Sequence, residues 1–178
     1  MYNRRPNIYG GGAQTNLNGL YFEQITSLDD ALIQAGFDIK DSRVYKNDEF
    51  IGLSVPKHQF YNIFLNHIDV DYTNYNSKRW LPDEAFINFM NDTVYIIEKK
   101  FQNIAGSADE KLPSCHFKKW EYEKLVNHKG FSVEYIYVFN DWFKDYKYRD
   151  TLEYIEDMDC YFYFNYIPLE ELGLEDYL

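Results

Sequence analysis

From Leu17 onward the apolar residues Leu17, Leu20, Tyr21, Ile25, Leu28, Leu32 and Ala35 recur at three- and four-residue steps. That spacing predicts one amphipathic helix, N-capped by Thr15 and stopped near Gly36. The period then shortens. Residues 39–45 and 49–55 read as two short strands joined at Asn47-Asp48, with Pro56 ending the second. Phe60, Ile63, Phe64 and His67 suggest a short helix, and a polar, Asn- and Tyr-rich loop follows from Asp71 to Arg79. A second hairpin is predicted from Leu81 to Asn88 and from Thr93 to Gln102, turning at Asn91-Asp92. Ser107-Ala108-Asp109-Glu110 has the S-x-x-E form of a capping box ahead of a helix to about Val126, with Pro113 near its first turn. Phe131 to Phe139 is apolar enough for a buried strand, and a helix over 146–158 and a strand over 160–167 complete the chain. With neither repeat nor linker, the expectation is one α/β domain over 1–178, a central mixed sheet flanked by helices.

Composition supports that picture and charge refines it. A chain of 178 residues, 46% hydrophobic and 20% aromatic, can bury a core without disulfide or metal staples. The 18 Lys+Arg against 29 Asp+Glu give −11, which excludes a strongly basic, non-specific polyanion binder. The charge is uneven, however. Asp150, Glu153, Glu156, Asp157, Asp159, Glu170, Glu171, Glu175 and Asp176 leave residues 1–149 with 29 − 9 = 20 acids against all 18 bases, a balance of −2. The domain therefore reads as a core over about 15–140 followed by an acidic C-terminal extension, 141–178. No run approaches the roughly 18 apolar residues of a membrane span. The segment from Met1 to Gly12 lacks the apolar stretch of a secretory signal. Cys115 and Cys160 have no metal-ligand spacing and read as buried thiols, which suits a cytoplasmic protein. His58, His67, His116 and His128 form no zinc pattern.

The chemistry concentrates in Thr93–Gln102. Strand side chains alternate, so Tyr95, Ile97 and Phe101 share one face while Glu98, Lys100 and Gln102 share the other. Val94 to Ile97 is apolar on both faces, as in a central strand, and charges at its end must be paired or bound to an ion. If the hairpin pairs through Asn91-Asp92, Asp83 faces Glu98, and pleat phase points the neighbouring Glu84 the other way. Two facing carboxylates repel unless one is protonated or a cation bridges them. Magnesium suits such an open site, and a lysine two residues along can polarise an attacking water. The chemistry implied is phosphodiester hydrolysis. The competing reading is a solvated strand face with a cross-strand ion pair of little energetic consequence.

Pro82-Asp83, fourteen residues, then Glu98-Lys99-Lys100 resembles the signature of the PD-(D/E)XK nucleases. Gly19-Leu20-Tyr21-Phe22-Glu23 is similar to the G-x-x-[FY]-E segment in the helix before the core sheet of many members, and Gln102 fits an E-x-K-x-Q pattern. The element order from Thr15 to Phe139 fits the αβββαβ core of the restriction-endonuclease-like fold, apart from an extra segment over about 57–79. The resemblance implies Mg²⁺ held by Asp83 and Glu98 with the Lys99 carbonyl, Lys100 acting on water, and Glu23 supporting the site from its helix. It implies cleavage of double-stranded DNA by a homodimer, as in a type II restriction endonuclease with a cognate DNA methyltransferase. A repair or phage-defence nuclease, or a non-catalytic DNA-binding domain, are the alternatives. Gln102, Ser107 and Lys111 are the DNA-contact candidates, the last two at a helix N-terminus that would otherwise be merely capped and solvated. Gly19 within a helix costs about 1 kcal/mol, for which a close backbone or DNA approach would be a reason.

Overall fold

The computed structural model describes residues 11–104 and 109–178. The N-terminal helical stretch is broken in two, α1 (Gly11–Ile25) and α2 (Leu28–Gln34). The Thr26 hydroxyl donates back to the Phe22 carbonyl at 2.6 Å, closing α1. Ser27 is extended, and its Oγ accepts the Asp30 N–H to cap α2. The single stripe expected over both helices is accordingly divided. Leu28 and Leu32 are buried, but in α1 it is Phe22 that packs inward while Leu20, Tyr21 and Ile25 face solvent. Gly36 ends α2 in the left-handed conformation, as its place after the last apolar residue suggested.

The first expected strand is likewise two: β1 (Asp38–Lys40) and β2 (Arg43–Lys46), joined at Asp41-Ser42, both at positive φ. Asn47-Asp48 makes a second two-residue turn at positive φ into β3 (Glu49–Ser54). β4 (Glu84–Asn88) and β5 (Thr93–Lys100) form the second hairpin, followed by β6 (Ser132–Phe139) and β7 (Tyr161–Phe164). The seven strands lie in chain order in one sheet, antiparallel from β1 to β5 and parallel from β5 through β7. β5 is central and buried along nearly its whole length, as its two apolar faces required.

Both sheet faces are covered. Ala85, Ile87, Val94 and Ile96 pack under α3 (Cys115–Val126), a π-helical turn (Phe60–Leu65) and α4 (Arg149–Asp157). Phe86, Tyr95, Ile97, Ile136 and Val138 pack under Phe22, α2 and the C-terminal Leu169, Leu172 and Leu174. The acidic segment after residue 141 is therefore woven into the fold: β7 extends the sheet, and Asn88 donates its side-chain amide to the Leu172 and Gly173 carbonyls. The helix expected after the capping box starts later. Asp109–Ser114 is a 3₁₀ turn containing Pro113, and regular α-helix begins at Cys115. Proline disfavours helical dihedrals in the residue before it, which delays the start. Ser107 lies outside the described residues. Among the described residues, no helix is long and apolar enough to cross a membrane. Cys115 and Cys160, forty-five positions apart in sequence, are free thiols buried in one core and in contact with each other.

Candidate active site

The β4–β5 register runs from Asn88↔Thr93 to Glu84↔Ile97, and one further step brings Asp83 opposite Glu98. Asp83 lies just before β4, and its Oδ2 accepts the Lys99 backbone N–H at 2.9 Å. Glu98 is 6% exposed, on the β5 face shared with Val94 and Ile96. Lys100 Nζ donates to Glu98 Oε2 at 2.9 Å and to the Lys99 carbonyl at 3.2 Å, and it lies 3.9 Å from Asp83 Oδ2. One ammonium group is thus ringed by two carboxylates and a backbone carbonyl.

Two further lysines complete the cluster, and sequence reasoning had not singled them out. Lys57 Nζ meets Asp83 Oδ1 at 2.6 Å, and Lys118 Nζ, from the inward stripe of α3, meets Glu98 Oε2 at 3.4 Å. Burial opposes ionisation of Asp83. The hydrogen bond from Lys57, the Lys100 charge and the Lys99 amide outweigh it and hold the carboxyl below its usual range. Burial likewise disfavours the Lys57 ammonium, yet bonding to Asp83 raises its pKa overall. Lys57 adopts a left-handed backbone (φ 53°), and its N–H donates to the Pro82 carbonyl at 2.9 Å. That conformation costs a non-glycine residue roughly 1–2 kcal/mol, here offset by a backbone and a side-chain contact to the Pro82-Asp83 corner. The segment 57–79, expected as an insertion of unassigned role, therefore contributes directly to the cluster.

The wall beside the cluster is aromatic. The Trp80 carbonyl accepts from the Tyr61 hydroxyl at 2.8 Å and the Tyr122 hydroxyl at 3.0 Å, while Tyr61 Oη accepts the Trp80 N–H at 2.8 Å. These bonds fix the chain three residues before Asp83. Burial pushes the Tyr122 hydroxyl pKa well up, so it stays a neutral donor there.

The remaining sequence candidates fall elsewhere. Glu23, 52% exposed on its side chain, lies 3.5 Å from Lys99 Nζ, which also pairs with Glu84 at 2.6 Å on the opposite face of the sheet. It does not join the Asp83–Glu98 pair, because residue 99 alternates to the α1 side, although its charge is felt by Lys57. Glu84 points away from Asp83, as pleat phase requires, and burial lifts its carboxyl above the usual range despite Lys99. Gln102 is turned into the protein, its Nε2 donating to the Ile104 carbonyl and its backbone exchanging hydrogen bonds with the Asn140 amide. That is a structural clamp between β5 and β6 rather than a surface presented to DNA. Lys111 is exposed in the 3₁₀ turn before α3. A Cβ on Gly19 would meet Phe101 at an ordinary 3.6 Å, so no close backbone approach accounts for that glycine.

The donor set suits a hard cation. Among the described residues no three His, Cys, Asp or Glu side chains gather into a metal-binding group. Two carboxylates and a carbonyl do converge, however, and magnesium typically takes one or two carboxylates and keeps several waters. Compared with models of protein families, with curated proteins and with solved structures, the chain matches none.

Proposed function

We propose that this protein is a magnesium-dependent endodeoxyribonuclease of the PD-(D/E)XK type, hydrolysing phosphodiester bonds in double-stranded DNA. The observation that carries the proposal is the convergence of Asp83 Oδ2, Glu98 Oε2 and the Lys99 carbonyl on the single ammonium of Lys100. Three oxygens that already surround one cation are the set that would hold the metal. The order of α1 and α2, the β3–β4–β5 meander, α3 and parallel β6 supports the reading, being the order expected of a restriction-endonuclease-like αβββαβ core.

Bound magnesium supplies neutralising charge beside the phosphate and acidifies water. The chain's own groups do the rest. Lys100 holds an attacking water, or a non-bridging phosphate oxygen, through its three donors. Lys57 and Lys118 flank the carboxylates and draw a phosphate toward an otherwise acidic molecule. The Tyr61 and Tyr122 bonds to Trp80 keep the Asp83 corner in place before substrate arrives.

Incubation with mixed-sequence plasmid and Mg²⁺ tests the reading. Lys100→Ala and Asp83→Ala should each slow cleavage by about 10²-fold or more. Full activity in both, or no cleavage by the native chain over a range of metals and salts, overturns it. Discrete fragments from genomic DNA and a dimer in solution would mark a type II restriction enzyme, for which a methyltransferase partner is expected. A second reading, structure-specific cleavage, is favoured by Phe117 and Trp120, exposed on α3 beyond Trp80.

A further inference from the structure

Three aromatic rings run outward from the candidate site. Trp80 stands three residues before Asp83, and its ring meets Phe117 edge-on at 5.9 Å between centroids. Phe117 meets Trp120 at 5.8 Å. Phe117 and Trp120 are 47% and 46% exposed, high for rings of this size in a domain with two well-filled cores. Helix geometry explains the arrangement. Residues 117, 120 and 124 lie on the outer stripe of α3, whereas Cys115, Lys118, Tyr122 and Leu125 lie on the inner one.

Three lysines along this row sit on its rings. Lys78 Nζ is 3.8 Å from the Trp80 centroid, Lys124 Nζ is 4.2 Å from that of Trp120, and Lys118 Nζ, which also reaches Glu98, is 5.8 Å from Trp80. The acid beneath them is already engaged: Glu121 is buried, accepting from Trp80 Nε1 at 3.3 Å and from Lys124 at 2.8 Å. In a chain of net charge −11 this is a local stripe of rings and ammonium groups that begins at the carboxylate cluster.

We propose that Trp80, Phe117 and Trp120, with Lys78 and Lys124, form a stacking track for the unpaired bases of a nucleic-acid strand adjoining the scissile phosphate. Bases present a π-face to aromatic rings whatever their sequence, and flanking lysines follow the phosphates. Bases inside a duplex have their faces covered by their neighbours, so rings exposed beside the site can stack only on bases of a strand that has left its partner. The cation–ring contact of the exposed Lys78 is weak and can be exchanged for phosphate, while Lys124, held by Glu121 at 2.8 Å, keeps a positive charge beside Trp120. A purely apolar protein partner would leave those ammonium groups and Glu121 poorly matched. The inference takes from the nuclease proposal the fate of the strand, a junction between duplex and single strand cut beside Asp83 and Glu98, but not the binding itself.

Fluorescence anisotropy of the full chain in EDTA reads the binding without cleavage. The probes are oligothymidylate of twenty nucleotides, a blunt duplex, and the same duplex with a ten-nucleotide thymidylate tail. The tailed duplex and the single strand should bind more tightly than the blunt duplex. Phe117→Ala and Trp120→Ala, both at exposed positions, should each weaken tailed binding by roughly 5- to 100-fold while leaving blunt-duplex affinity unchanged. Trp120→Tyr should restore most of the loss. Equal affinity for all three probes, or alanine variants that bind like the native chain, overturns the track. So does conversion of a dimer to a monomer by Phe117→Ala with nucleic-acid affinity intact, which would make the row a protein interface. If the variants lose tailed binding but the native chain cuts nothing with Mg²⁺ or Mn²⁺, the track stands and the nuclease proposal falls.

Discussion

Asp83 and Lys57 form the contact in the cluster whose pH behaviour is most directly testable. The Asp83 carboxyl titrates below its ordinary 3.8 in the folded chain, so its stabilising contribution is complete above that value and disappears as pH falls through the folded-state pKa. Lys57 is shifted upward, so its contribution is complete below 10.5 and is lost as pH rises through its folded-state value. In metal-free protein, Asp83→Asn should therefore lower the urea midpoint at pH 7 and flatten its fall as pH drops below about 4. An acid limb as steep as that of the native chain would refute the assignment. Asp83, Glu98 and Lys100 were legible in the sequence because a strand's two-residue alternation fixes which side chains share a face. Lys57 and Lys118 were not. They lie 26 and 20 positions from the carboxylates they meet, and which lysine of α3 turns inward depends on the helix's rotation against the sheet. The partner of Glu23, Lys99, was not legible for the same reason: a helix motif specifies a residue, not the strand residue it will face.

Elements were legible where the chemistry is local. Asn47-Asp48 and Gly36 adopt the positive φ their residue types permit, and they end elements where expected. The turn at Asp41-Ser42 was not legible because serine, unlike asparagine or aspartate, rarely takes positive φ and both flanks are strand-like. Gly52 in β3 went unnoticed as well. A Cβ there would stand 2.1 Å from the Ile87 carbonyl of the neighbouring strand. Gly52→Ala should consequently destabilise the protein by about 1–3 kcal/mol in urea unfolding, and an unchanged midpoint would argue against the close β3–β4 approach. A milder effect is expected at the break between α1 and α2. Ser27→Ala removes the cap on the Asp30 N–H and should cost about 0.5–2 kcal/mol.

At the scale of the whole molecule, the acidic C-terminal segment changes meaning. The nine carboxylates from Asp150 onward are surface charge, but Leu169, Leu172 and Leu174 between and beside them close the core under β4–β6. Ending the chain after Ile167 should expose that face. Three lost leucines amount to on the order of 5 kcal/mol, comparable with a domain's total stability. Loss of near-ultraviolet circular dichroism and of a cooperative urea transition is the expected outcome. A truncated chain that still melts cooperatively near the native midpoint would show that the segment is an appendage after all.

The sequence by itself determined the strand succession from β3 onward, the central position of β5 and the pairing of Asp83 with Glu98 and Lys100, because each follows from near-neighbour periodicity and one hairpin. Tertiary structure decided which distant lysines neutralise those carboxylates and that Glu23 faces Lys99. It also brought the two cysteines together and set the exposed Phe117 and Trp120 in line with the half-buried Trp80. Those outcomes depend on how helices rotate and seat on the sheet, a choice made by the packing of both cores at once and by no local stretch of chain.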